Sequence, residues 1–267
     1  MFERRFTCLG AAIGLVSLLA TGCSTTQSGS ALSGTTISGN WSFTAPASQS
    51  APAPLTLNAG FTEGTDQTVN AVAHLSGAQC VSAATGIVLT GSVRTNNQLV
   101  LTSKPFAGTT LLLKGQMAAG GKAISDASWS FSAGSCAALG ATAVKATDYS
   151  EINGTYSGTF VDSDNNQLAI SATLTQTTQP DENGQYHLSG SASFPGNPCF
   201  TQPIVTDSLV TGSSVSTTYS QEGASITAVG TFNSAATELT VTNWMVTGGL
   251  CDGDTGTGLL TANLQRR

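Results

Sequence analysis

The sequence is poor in charged residues. Only 9% of its 267 residues are Asp, Glu, Lys or Arg, against about a quarter in ordinary globular proteins. Long surface helices need such side chains on their solvated face, so a mainly helical protein is disfavoured. Serine, threonine, glycine and alanine are abundant instead, and strands carry Ser and Thr readily at exposed positions. The composition therefore predicts an all-β fold.

The sequence also lacks the motifs of common enzyme classes. It contains no Gly-x-Ser-x-Gly, no P-loop, no dinucleotide-binding fingerprint and no zinc-protease motif. Its two histidines, His74 and His187, stand in matching His-Leu-Ser-Gly tetrapeptides. On the predicted strands the neighbouring Leu75 and Leu188 face inward, so both histidines face outward. We interpret them as surface residues inherited by duplication, in preference to catalytic or metal-binding groups.

The apolar run at 9–20 is too short for an ordinary membrane span. It follows a short basic start and precedes small residues and Cys23, which together are typical of a secretory signal peptide. The segment 19–23, Leu-Ala-Thr-Gly-Cys, resembles the lipobox of the bacterial lipoprotein class. The alternative is an ordinary cleaved signal peptide followed by an incidental cysteine.

The resemblance to lipoproteins implies cleavage after residue 22 and lipidation of Cys23, which then anchors the chain to a membrane. Because Ser24 and not Asp follows the cysteine, the resemblance also implies the outer membrane as the location. Residues 23–35 are rich in Ser, Thr, Gly and Gln, and are expected to form a flexible tether.

The mature chain is acidic. Removing Glu3, Arg4 and Arg5 from nine basic and fifteen acidic residues leaves seven and fourteen, a net charge of −7. Phosphate backbones and anionic lipid headgroups repel such a surface. We therefore expect no nucleic-acid partner, and expect membrane attachment only through acyl chains on Cys23. A protein or small-molecule ligand of unknown identity is the expected partner.

Two halves of the chain repeat each other. The segments 129–136 and 244–251, 115 residues apart, each place a tryptophan seven positions before a cysteine. Further pairs match in order: Gly39 and Gly154, Trp41 and Tyr156, Gly115 and Gly230, Ile124 and Leu239. The period is too long for a solenoid, so each copy should be a domain. We predict domains at 36–146 and 151–265, joined by a linker at 147–150.

Four cysteines remain after cleavage and lipidation: Cys80, Cys136, Cys199 and Cys251. An exported compartment is oxidising, so an even count indicates disulfides. Of the three pairings available, the repeat selects Cys80–Cys136 and Cys199–Cys251, one in each domain. A metal site is the rival interpretation, but no two of these cysteines are close in sequence.

Each domain contains about eight short, alternating strands, the last strand of the first domain falling at 139–146. We predict two tandem antiparallel β-barrels or barrel-like sandwiches, in preference to an immunoglobulin sandwich, whose tryptophan lies well before the second cysteine. The apolar phase breaks ahead of each tryptophan, which predicts β-bulges at 126–128 and 241–243. The inward Gly115 and Gly230 are expected to make room for the two indoles.

Acidic loops at one end of the second domain are the only candidate site. Strand parity places there, together with Glu222, four aspartates: Asp162, Asp164, Asp252 and Asp254. Such oxygen-rich loops suit Ca²⁺, although the EF-hand pattern fails at Gln167 and Thr173, and aspartates are also ordinary turn residues. No other cofactor is expected. A glycosidase carboxylate pair from these loops is a further alternative.

These observations favour an exported, lipid-anchored protein of the bacterial envelope with a non-catalytic binding or structural role. The alternative is a secreted hydrolase that uses the acidic loops of the second domain.

Overall fold

The computed structural model describes residues 36–197 and 199–263. The fold is all-β, with two barrel-like sheets of nine and eight strands. The only helix in the described ranges is a short 3₁₀ helix, Ser135–Leu139. None of the described residues forms a helix of the length and apolar character needed to cross a membrane.

The first sheet contains β1 to β9, and the second contains β10 to β17. The strands of the first sheet are Gly39–Ala45, Leu55–Glu63, Thr68–Ser76, Ile87–Val93, Gln98–Ser103, Leu111–Met117, Ile124–Phe131, Ala141–Ala143 and Lys145–Tyr149. Those of the second are Asn153–Asp162, Gln167–Gln176, Leu188–Ser193, Ile204–Thr211, Ser214–Gln221, Ala224–Phe232, Glu238–Thr247 and Thr255–Ala262. All strand pairings are antiparallel. Each joins strands that follow one another in the chain, except the β1–β9 and β10–β17 pairings that close the two sheets.

The first sheet curls until its two edge strands, β8 and β9, meet in one chain segment. Strand β8 pairs with β7, strand β9 pairs with β1, and only Val144 separates them. The strand predicted at 139–146 is therefore two strands, because one segment must pass from β7 to β1. Residues 147–149, which the sequence assigns to the linker, lie in β9, where Thr147 pairs with Ser42.

The second sheet is a closed barrel in which β17 pairs with β10 over seven residue pairs. Both sheets turn alternate side chains inward, as the two-residue period requires. In β3, for example, Val69, Ala71, Ala73 and Leu75 are buried, while the residues between them are partly or fully exposed. The predicted pair of antiparallel barrel-like domains is thus confirmed.

Both predicted β-bulges are present. In β7, Asp126 and Ala127 stand opposite the single residue Gly115, and Asp126 has a positive φ of 49°. In β16, Thr242 is the additional residue opposite β15. Each bulge shifts the phase of its strand, so Trp129 and Trp244 point inward and are each only 1% exposed.

The predicted fit of Gly115 and Gly230 against the indoles is wrong. A Cβ at Gly115 would collide with Ile124, and one at Gly230 would collide with the carbonyl of Thr240. These glycines lie beside the bulges, where the neighbouring strand comes closest. The glycine that makes room for an indole is Gly256 of β17, where a Cβ would lie 2.8 Å from Cζ2 of Trp244.

The two predicted disulfides, Cys80–Cys136 and Cys199–Cys251, are formed. Each joins the connection after the third strand of its domain to the connection after the seventh. We call this end of each barrel its disulfide end, and the opposite end, where each domain begins, its entry end. The disulfides tie together loops that the β-ladders leave unpaired.

Candidate functional site

The two copies share a scaffold but differ in the lengths of several loops. The connection between β1 and β2 spans residues 46–54, whereas its counterpart between β10 and β11 spans only 163–166. Conversely, the connection between β11 and β12 spans 177–187, against 64–67 between β2 and β3. The loops 46–54 and 177–187 are therefore each long in one barrel and short in the other.

The long loop of the first barrel folds back on its disulfide end. Ser48 and Ala51 exchange backbone hydrogen bonds of 2.7 and 3.2 Å, and Ala51 is buried. The loop ends at Pro54, whose carbonyl would collide with a Cβ at Gly77. Gly77 also has a φ of 84°, a conformation that glycine adopts without steric cost. This close approach holds the loop against the end of β3.

Together these segments form a cleft of 410 Å³, which we call the disulfide-end cleft. Its walls are the loop residues 49–53, the segment 77–80, and Ser135, Ala138 and Leu139 of the 3₁₀ helix. The Cys80–Cys136 disulfide joins the second wall to the third, and Ser135 Oγ donates a hydrogen bond of 3.3 Å to the Cys80 carbonyl. None of the lining residues is charged.

The second barrel has a much smaller cavity in its interior. The cavity lined by Phe160, Tyr219 and Leu239 measures 20 Å³, about the room that one water molecule needs. Aromatic packing accounts for this, since Phe160 stacks on Trp244 at 5.7 Å and meets Phe194 edge-on at 5.9 Å. This cavity is too small for a ligand of ordinary size.

The acidic loops do lie at the disulfide end of the second barrel, but the carboxylates of Asp162 and Asp252 accept hydrogen bonds within their own turns. Asp162 accepts backbone hydrogen bonds from Asp164 and Asn166, and one from the Asn166 side chain, at 2.8–2.9 Å. These bonds, that of the Asn166 side chain foremost, lower the pKa of Asp162. Asp252 similarly accepts from the Gly248 amide at 2.7 Å.

Across residues 36–197 and 199–263, no three His, Cys, Asp or Glu side chains lie close enough together to hold a metal ion. Of the remaining two predicted ligands, Asp164 donates its amide to Asp162, and Asp254 accepts from the Val246 amide through its backbone carbonyl. Calcium binding and the hydrolase alternative therefore stay predictions without a geometric observation in their favour.

The two histidines face outward but are not equivalent. His74 is the seventh residue of β3, whereas His187 precedes the first residue of β12. The matching tetrapeptides are thus not aligned by the duplication, because the long 177–187 loop displaces the second one. His74 Nε2 lies 2.9 Å from the Asn183 carbonyl, and His187 Nε2 lies 3.1 Å from Asp181 Oδ2.

The second long loop joins the two barrels. Its residues 180–184 pack on the outer face of β2 and β3, where a Cβ at Gly60 would collide with the Gly184 carbonyl. Nearby, Asn40 donates to the Gly212 carbonyl at 2.8 Å and accepts from the Gly212 amide at 2.7 Å, with Asn40 only 2% exposed. Both barrels accordingly belong to one compact unit. The sequence gives no signal for this contact beyond the loop length.

The sequence matches no protein-family model and no curated protein. One solved structure to which the chain is similar is a protein of unknown function of the DUF3598 family from Nostoc punctiforme. The identity is 11%, the match covers 84% of this chain and 94% of the other, and the TM-score is 0.23. A superposition this poor supports no inference about fold or function.

Proposed function

We propose that the protein is an exported lipoprotein, anchored to the outer membrane through lipid on Cys23, that binds a ligand without transforming it. The observation that carries the binding role is the disulfide-end cleft, which is built by a loop present in only one of the two copies. The second barrel closes without such a loop. Cys23 itself lies outside the described residues.

The position of the cleft suits an anchored protein. The described chain begins at Thr36, whose carbonyl packs against Gly121 between β6 and β7, at the entry end of the first barrel. The cleft lies at the opposite end. A membrane anchor upstream of Thr36 would therefore join the first barrel at the end opposite the cleft.

The lining of the cleft indicates the chemistry of its ligand. Gln49, Ser50, Gln79 and Ser135 offer hydrogen-bonding groups, while Pro52 and Leu139 offer apolar surface. Without a charged group in the lining, an ionic ligand would lose its hydration with no compensating ion pair. The ligand should therefore be a neutral molecule that combines hydroxyl or amide groups with apolar surface.

This binding role can be tested by NMR. An isotope-labelled mature chain is titrated with the neutral fraction of solubilised cell envelope, from which ion exchange has removed charged components. Saturable shifts should appear at the amides of residues 49–51, 53, 77–80 and 135–139. An Ala138→Trp variant, which fills the cleft, should weaken binding at least tenfold, while Ala137→Trp, outside the lining, should not. Shifts spread evenly over both barrels, or equal binding by the two variants, would contradict the proposal.

Lipid attachment gives a second prediction. Replacing Cys23 by alanine removes the thiol that would receive the lipid, so the variant should incorporate no radiolabelled palmitate and should leave the membrane fraction. Cys8→Ala, within the predicted signal peptide, serves as the matched control and should be labelled like the wild type. An unlabelled wild type, or a Cys23→Ala chain that still sediments with membranes, would rule out the anchor.

A further inference from the structure

We propose that His74 is a proton-operated latch between the two barrels. The loop 180–184 of the second barrel binds the first barrel most firmly when the His74 imidazole carries a proton on both ring nitrogens. Loss of either proton releases one of the two bonds that the ring makes. This inference does not depend on the ligand-binding role.

Both nitrogens of His74 face carbonyl oxygens. Nε2 lies 2.9 Å from the Asn183 carbonyl of the second barrel, and Nδ1 lies 3.2 Å from the Ala83 carbonyl of the first. A carbonyl oxygen only accepts hydrogen bonds, and a neutral imidazole has a single N–H. Both bonds therefore exist together only in the imidazolium form. In the neutral form, one carbonyl oxygen faces a nitrogen lone pair.

The second histidine of the chain acts on the same loop. His187 Nε2 lies 3.1 Å from Asp181 Oδ2, while Asp181 Oδ1 accepts the amides of Asn183 and Gln185 at 2.8 and 2.9 Å. Burial tends to raise the pKa of Asp181, but these hydrogen bonds outweigh it and lower the pKa. Asp181 thus stays a carboxylate as the pH falls, and protonation of His187 turns their contact into an ion pair.

The loop has little freedom to move without breaking its contacts. Gly184 is buried with a φ of 74°, and a Cβ there would collide with the carbonyl of Val72, next but one to His74. Backbone therefore lies directly on backbone at this point of the interface. Loss of the Asn183 bond weakens the adjacent Gly184 contact directly, whereas loss of the Ala83 bond frees the ring that holds Asn183, so either loss loosens the docking of the two barrels.

The charged groups on the elements around His74 are few. The loop contributes Asp181, Glu182 and His187. Strands β3 and β4 and the segment 77–86 contribute none, and β2 contributes only Glu63, at its far end, which binds the Ile37 amide at 2.9 Å.

Hydrogen exchange at one interface amide tests the latch. The Gly212 amide donates across the interface to Asn40 and is protected only while the barrels stay docked. After correction for intrinsic exchange, its protection in the mature chain should be roughly fivefold greater at pH 5.5 than at pH 8.5, as expected for one lost hydrogen bond. In His74→Gln, which cannot take up a proton, the ratio should fall to the smaller value that His187 alone sustains.

Two controls make the result specific. The Val246 amide, bonded to Asp254 at the far end of the same barrel, should show no comparable pH dependence. His187→Gln should keep the contribution of His74 and so retain part of the effect. The proposal is overturned if the protection of the Gly212 amide in the wild type is equal at the two pH values, or if His74→Gln keeps the wild-type ratio. It is also overturned if the protection of the Val246 amide changes by the same factor as that of Gly212.

Discussion

Replacing Trp244 by alanine should lower the free energy of unfolding of the second barrel by about 3–5 kcal/mol, the usual cost of deleting a large buried aromatic side chain. The indole is 1% exposed, stacks on Phe160 at 5.7 Å, and donates a hydrogen bond of 3.0 Å to the Thr257 carbonyl. Gly256 lies against the indole and has no side chain, so it cannot help to fill the cavity that the substitution leaves. Urea unfolding followed by circular dichroism measures the loss.

The two tryptophans of the repeat provide an internal control. Trp129 is equally buried, but its Nε1 has no hydrogen-bond partner in the part of the chain that the structure describes. Trp129→Phe therefore removes no hydrogen bond, whereas Trp244→Phe removes the bond to the Thr257 carbonyl. The second substitution should cost about 1 kcal/mol more than the first. If Trp244→Ala lowers the free energy of unfolding by less than about 1 kcal/mol, the assigned packing is contradicted.

Removing a disulfide should have an effect of similar size. The Cys199–Cys251 bond links residues 52 positions apart, and in the chain-entropy model a loop of this length contributes about 4 kcal/mol. A chain with both cysteines replaced by serine should lose about that much unfolding free energy in its second barrel. Denaturant titration with and without a reductant measures it, and an unchanged midpoint for the variant would refute the prediction.

The matching variant of the first barrel separates stability from binding. Replacing Cys80 and Cys136 should cost a similar free energy, because their separation is 56 residues, and should also detach the 3₁₀ helix wall of the cleft from the segment 77–80. Ligand binding should therefore fall in this variant even under conditions where it remains folded. Loss of the Cys199–Cys251 bond should leave binding unchanged.

Much of the fold could be predicted from the sequence because it depends on local or covalent rules. Alternating polarity locates the strands, the break of phase before Trp129 and Trp244 locates the bulges, and the repeat selects the disulfides. The glycine fit was wrong because phase alone does not say which neighbouring strand lies nearest an indole. The split of the last strand of the first domain depends on sheet closure, which no local pattern reports.

The disulfide-end cleft and the contact between the two barrels could not be predicted from the sequence in the same way. The loop 46–54 is visible in the sequence, but its fold over Gly77 and the 3₁₀ helix requires the assembled barrel. The loop 177–187 gives no sign that it docks on another domain, since its partners His74 and Gly60 are more than a hundred residues away. Matching tetrapeptides even pointed to an equivalence of the two histidines that the strand register excludes.

Site-specific photo-crosslinking in living cells tests the proposed binding role most directly. A photoreactive phenylalanine analogue replaces Gln79 in the cleft or, as a control, Gln202 in the equivalent connection of the second barrel. The cleft position should yield an adduct of one defined mass, and Ala138→Trp should suppress it. Adducts of the same mass and yield at Gln202, or none at Gln79, would contradict a ligand site in the disulfide-end cleft.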